Sequence, residues 1–234
     1  MLRSLVGSEM CIRDRNTTAG ISIVTYTGNN SSGATVGHGL GAVPRMIIVK
    51  NRDQADAWQV YHAANTANPE TDYLVLNTTA ATADAADRWN DTLPTSTVFS
   101  IGNGAEVNTN TEDYVAYCFA EVEGFSKFGS YTGNGSADGP FVYTGFRPAF
   151  ILAKESSTSG QEWTIYDVRR DPYNVAIKLL SPTNSGAEGS APNTYDILSN
   201  GFKLRTSDAR ENRSGSTYIY ACFSSNPFKT SLAR

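Results

Sequence analysis

Apolar residues along this chain alternate with polar ones in short runs, and they seldom fall at the three-to-four-residue spacing of an amphipathic helix. The runs at 21–26, 46–50, 58–61, 73–77, 97–101 and 114–120 are β-branched or aromatic and are bounded by Gly, Asn, Asp or Pro, the signature of strands ended by turns. The runs at 141–143, 150–154, 163–166, 175–180, 195–198, 202–205 and 217–224 have the same character, with Gly133-Asn134-Gly135 and Asn200-Gly201 as turn signals between them. Only residues 80–89, AATADAADRW, have a composition that predicts a helical turn or two.

The pattern repeats. Tyr26-Thr27-Gly28-Asn29 recurs as Tyr131-Thr132-Gly133-Asn134, and GAVPRMIIVK at 41–50 is answered by GFRPAFILAK at 145–154. WQVY at 58–61 then matches WTIY at 163–166, and YVAYCF at 114–119 matches YIYACF at 218–223. Four blocks in one order, separated by about 103 to 105 residues, predict an internal duplication. Six or more short strands per copy predict an all-β fold of two tandem β-sandwich or jelly-roll-like modules. Copy 1 covers 16–124 and copy 2 covers 125–234, with the seam near 124–130.

Residues 1–15, MLRSLVGSEMCIRDR, fit neither period nor the apolar core of a secretory signal, and predict no element. The string SLVGSEMCIRDR closely resembles the conceptual translation of a sequencing adapter found at the ends of metagenomic gene models. That resemblance implies an artefactual or disordered leader, with the gene continuing upstream.

Composition narrows the function classes. Twelve Tyr among abundant Thr, Ser, Gly and Asn suit strands joined by tight turns, and 40% apolar residues can fill a core in each copy. A net charge of -4 without any Lys/Arg run makes nucleic acid a poor partner. No segment approaches the ~18 consecutive apolar residues of a membrane-spanning helix, so no membrane partner is expected. Cys11, Cys118 and Cys222 cannot all pair, and the last two sit in apolar runs where a thiol serves as a small core residue. No Cys-x-x-Cys accompanies the two histidines, so neither a metal site nor a cofactor is expected.

Candidate chemistry is sparse. His38 stands between glycines and His62 follows a strand, but neither has a nucleophile beside it. Asp53, Asp56, Glu121, Glu123, Asp167 and Asp171 lie near strand ends without the pairing a glycosidase needs, and 51–56 is a weak match to a calcium loop. No catalytic residue is assigned. Trp58 and Trp163 each open an alternating strand and are expected, with Cys118 and Cys222, in the cores. Tyr26, Asn29, Tyr131 and Asn134 sit in Gly-rich turns and are the candidate ligand contacts, since a rigid amphipathic ring gives contact area at low entropic cost; the tyrosines could equally anchor the turns.

The blocks at 37–51 (GHGLGAVPRMIIVKN), 114–120 (YVAYCFA) and 124–135 (GFSKFGSYTGNG), with Asn226-Pro227-Phe228-Lys229 near the end, together resemble an uncharacterised domain of bacteriophage tail and tail-fibre proteins, common among marine phages. The resemblance implies a virion tail component assembled in the host cytoplasm, a homo-oligomer whose partners are other virion proteins and a host-surface glycan or envelope protein. It supplies no catalytic residues. A tail-associated polysaccharide depolymerase, resting on the carboxylates, is the enzymatic alternative, and a purely architectural spacer is the other.

Overall fold

The computed structural model describes residues 11–224, so the leader up to residue 10 and the Asn226-Pro227-Phe228-Lys229 block lie outside the described residues. The described chain is nearly all β and divides into two compact units. The first comprises residues through Tyr61, then Asn68–Tyr73 and Asp84–Ala120; the second comprises His62–Ala67, Leu74–Ala83 and the residues from Glu121 onward.

The first half of the chain forms strands β1 (Cys11–Asn16), β2 (Ile21–Thr27), β3 (Ala34–Gly37), β4 (Pro44–Asn51), β5 (Gln59–His62), β6 (Asp72–Val75), β7 (Ala83–Asp84), β8 (Val98–Ile101) and β9 (Asp113–Ala120). Seven of them make one sheet in the order β1-β2-β9-β4-β5-β6-β7, and β3 pairs with β8. Alternation dictates the faces: in β2, Ser22, Val24 and Tyr26 are buried and the residues between them are not. Strand β1 corrects the expectation that residues 1–15 contribute no element. It pairs antiparallel with β2 through its backbone while Asp14, Arg15 and Asn16 stay exposed, so no hydrophobic pattern announces it.

The second half forms β10 (Ser126–Thr132), β11 (Phe141–Tyr143), β12 (Pro148–Glu155), β13 (Thr164–Asp167), β14 (Ala176–Leu179), β15 (Gly189–Leu198), β16 (Gly201–Leu204) and β17 (Thr217–Ser224). Two four-stranded sheets, β10-β17-β12-β13 and β11-β16-β15-β14, are joined at one side by the antiparallel bridge between Ile165 and Leu180. Their inner faces meet in a core that includes Tyr131, Phe146, Tyr166, Tyr195, Phe202 and Tyr218, so this half is a β-sandwich.

The block β2-β9-β4-β5 of the first half has the same order as β10-β17-β12-β13 of the second, and both halves use the same internal anchor. Tyr26 and Tyr114 stack with ring centroids 5.2 Å apart, and Tyr131 and Tyr218 stack at 5.0 Å. The hydroxyls of Tyr26 and Tyr131 donate to the carbonyls of Val107 and Glu211 on the short helices α2 (Ala105–Asn108) and α3 (Ala209–Asn212). Asn108 and Asn212, the last residues of those helices, accept from the backbone N–H of Asn29 and Asn134 at 2.8 Å each. The glycine of each Tyr-Thr-Gly-Asn segment is dictated by this close approach: a Cβ on Gly28 or Gly133 would lie 2.1 or 2.3 Å from the carbonyl oxygen of Thr109 or Arg213.

The helix expected over 80–89 is confined to α1 (Ala86–Trp89). Upstream, the N–H groups of Thr82 and Ala85 donate to Ser156 and Thr71 rather than back along a helix, and Ala83–Asp84 is extended as β7.

Candidate functional site

The anchor geometry relocates the tyrosines expected to contact a ligand. Tyr26 and Tyr131 are buried, 3% and 8% exposed, and burial raises both hydroxyl pKa values well above the usual tyrosine range. They pin helices to strands, which corrects their assignment as ligand contacts. Asn29 and Asn134 are exposed, but their side-chain oxygens accept from the N–H groups of Ser31 and Ser136, closing the turns.

The expected core residues divide. Trp163 is 1% exposed and donates its indole N–H to the carbonyl of Val75 at 2.9 Å. Cys118 and Cys222 are buried free thiols whose pKa burial pushes up. Trp58, by contrast, is half-buried just before β5 and stacks on Tyr117; the strand it precedes fills the core with Val60 and Tyr61 instead.

The carboxylates weighed for catalysis are held by structural partners. Asp53 accepts from the N–H of Asp113, Asp56 from Asn51, and Glu121 from Lys127 and the N–H of Phe128. A shallow cleft lined by Ala149, Tyr166, Asp167, Asp171 and Ile197 holds two acids. There Asp167 is paired with Arg170, and Asp171 accepts the N–H groups of Ile177 and Lys178. His38 is buried, takes the N–H of Leu40 on Nδ1 and sits 3.1 Å from the carbonyl of Thr95; burial lowers its pKa. His62 is buried likewise, 3.1 Å from the carbonyl of Tyr220. Among the described residues no group of three or more His, Cys, Asp or Glu could hold a metal ion, and no helix is long and apolar enough to cross a membrane.

A different surface emerges on the outer face of the β11-β16-β15-β14 sheet. On edge strand β11, Val142 points into the core while Phe141 and Tyr143 point outward, 45% and 64% exposed. Two rows cross the sheet behind them: Phe141 opposite Lys203 opposite Asp196, and Tyr143 opposite Gly201 opposite Leu198. The Phe141 ring lies against Gly201, whose missing side chain lets β16 approach, since a Cβ there would be 2.1 Å from the carbonyl oxygen of Val142.

The polar groups of this face are already matched in charge. Lys203 contacts Asp138 at 2.8 Å, and Arg205 contacts Asp196 at 2.6 Å. Lys203 holds the Asp138 carboxyl below the usual range, first through its hydrogen bond and then through its charge. Backbone bonds from Leu204 to Pro140 and from Thr144 to Asn200 direct alternate β11 groups toward β16, which leaves the N–H and C=O of Phe141 and Tyr143 aimed at the open edge.

Among its described residues the first unit carries no such aromatic pair. His38 and Thr144 each donate the backbone N–H to the residue just before the partner strand, Thr97 and Asn200, so His38 takes the place of Thr144, Val36 that of Val142, and Phe141 and Tyr143 correspond to Thr35 and Gly37. A three-residue apolar strand reads as buried on both sides. Thr35-Val36-Gly37 of β3 carries no ring at either outward position, and with one apolar residue between Thr and Gly that strand has no alternation that the sequence alone shows.

The family model for a Domain of unknown function (DUF7483) matches residues 6–227 of the chain. Neither a curated protein nor a solved structure matches it.

Proposed function

We propose that this chain, which belongs to the DUF7483 family of unknown function, is a non-catalytic binding component of a virion appendage whose binding face lies on the second unit. The observation that carries the binding role is the outward pair Phe141 and Tyr143, placed where the other unit has Thr35 and Gly37. Leaving two rings about half exposed forgoes part of the roughly 1.5–3 kcal/mol that full burial of a large side chain yields, and an exposed apolar patch rimmed by polar groups marks an interaction surface.

Placement in a phage tail rests on the resemblance of blocks 37–51, 114–120 and 124–135 to tail proteins, and with it the homo-oligomer and the other virion partners. An internal duplication is part of the same reading, supported by the matching blocks β2-β9-β4-β5 and β10-β17-β12-β13 and by the paired tyrosine and asparagine anchors. The duplicated copies keep their cores and diverge at this face, which is the pattern of one scaffold carrying one specialised surface.

The labelled 234-residue chain tested on whole cells of candidate marine bacterial hosts should show saturable binding, weakened at least tenfold by the pair Phe141→Ala and Tyr143→Ala with unchanged thermal unfolding. Saturable binding that ignores both substitutions would remove the face from the proposal. Absence of binding to every candidate host would transfer support to the architectural spacer.

A further inference from the structure

We infer that the β11 face takes a neutral saccharide chain, an assignment that rests on the binding role proposed for Phe141 and Tyr143. The placement of the rings points to that chemistry. The rings project from one face of one strand at positions i and i+2, about 7 Å apart along the chain, so they form a short platform rather than a pocket. A sugar ring presents an apolar C–H face to such a platform, where the negative face of the aromatic quadrupole attracts it. A platform of two rings also falls well short of the ~800 Å² per partner that a stable protein interface uses.

Hydroxyl partners surround the rings. Among the described residues no strand pairs the outer edge of β11, which offers the N–H and C=O of Phe141 and Tyr143, alternately donor and acceptor, as a row of sugar hydroxyls needs. Lys203 with Asp138, and Arg205 with Asp196, add fixed donors and acceptors whose orientation is set by their own ion pairs.

Charge decides between neutral and acidic glycans. A uronate or sulfate would require an uncommitted cation, whereas here two cations face two carboxylates at 2.8 and 2.6 Å. An acidic chain would have to displace Asp138 or Asp196, or meet them as like charges, so the balance favours uncharged sugars. Gly201, between Tyr143 and Leu198, lets the Phe141 ring lie over the sheet, 3.1 Å from where a Cβ on that glycine would sit.

The test is affinity electrophoresis of the full chain through gels holding dextran, mannan, laminarin or xylan, against gels holding alginate or heparin, at low and high salt. At least one neutral polymer should retard the protein, with little change between the salts, and Phe141→Ala or Tyr143→Ala should each abolish the retardation. Retention on the acidic polymers alone, lost at high salt, would overturn the inference in favour of an anionic ligand. No retention on any neutral polymer would also overturn it. In that case, cell binding that depends on both rings yet survives periodate cleavage of cell-surface vicinal diols would assign the face to an envelope protein and leave the broader binding role standing. Loss of both the gel shift and ring-dependent cell binding would remove both together.

Discussion

Glu211 lies in the second unit's core, 1% exposed, at the position where the first unit has the fully buried Val107. Burial raises its pKa to about 7; Arg210 pulls it down, as does the Tyr166 hydroxyl bonded to it at 3.0 Å, and Asp208 pushes it up. The hydroxyls of Tyr131, Tyr195 and Tyr218 share the same region of the core. A raised acid pKa means that the native state holds its proton longer than the unfolded chain. The stability linked to Glu211 is therefore fully present below about pH 4.5, declines between there and about pH 7, and is level above. The span corresponds to roughly 3 kcal/mol at 1.36 kcal/mol per pH unit. Urea unfolding of Glu211→Gln should lose this decline, so that the gap between variant and native protein widens from pH 5 to pH 8. A constant gap would mean that the carboxyl is ionised throughout. Taking the difference cancels His38, whose lowered pKa acts with the opposite sign. None of this was legible in the sequence: Glu211 in AREN looks like a solvated helix acid, and only the aligned valine hints otherwise.

At the scale of elements, the strongly patterned strands were legible and the weakly patterned ones were not. Strands β4, β9, β12 and β17 carry β-branched and aromatic alternation and were placed within a few residues of their observed ends. Strand β10, SKFGSYT, falls in the expected seam because Gly and Ser dilute its apolar positions. Its Gly129 is there because the Tyr220 hydroxyl crosses it, 2.6 Å from where a Cβ would sit, a cause that resides ninety residues away. The helices α2 and α3 were invisible for a related reason: four residues give no period, and both are held by side chains from distant strands. In α3, Asn212 donates to Asn134, Ser136 and Thr206 at 3.0, 2.8 and 2.7 Å and accepts from Asn134, fastening the helix to the turn after β10. At about 1 kcal/mol for each net hydrogen bond, Asn212→Ala should destabilise the protein by about 3 kcal/mol in urea titration, and Asn108→Ala in the first unit should behave alike. A loss under 1 kcal/mol at either site would show that water replaces the asparagine readily. The candidate face follows from the same limit, since it depends on which side of β11 lacks a covering strand, and strand order is not written in local pattern.

For the whole molecule, the repeat predicts two units of similar size, yet the second is not continuous in sequence. His62–Ala67 and Leu74–Ala83 belong with it, separated from its main body by the strands and helices that complete the first unit. Within the second unit these segments supply the carbonyl of Val75 to the Trp163 indole, the carbonyl of Thr79 to the N–H of Gly160, and the N–H of Thr82 to the carbonyl of Ser156. A chain that begins at Glu121 would therefore keep all eight strands β10 to β17 while stripping the partner from a large indole buried at the heart of the repeat. Leaving a buried N–H unsatisfied costs about 1–3 kcal/mol, and uncovering part of a tryptophan adds the lost burial, together a large share of a domain's ~5–15 kcal/mol. Trp163 is the sole tryptophan after residue 120, so fragment 121–234 carries its own reporter. Its emission should lie near that of the urea-unfolded fragment, and adding the full chain's first 120 residues in one polypeptide should shift Trp163 to the blue. A blue emission from the fragment alone would mean that the sandwich closes over Trp163 unaided, and the two copies would then be separable in sequence as the repeat by itself suggests.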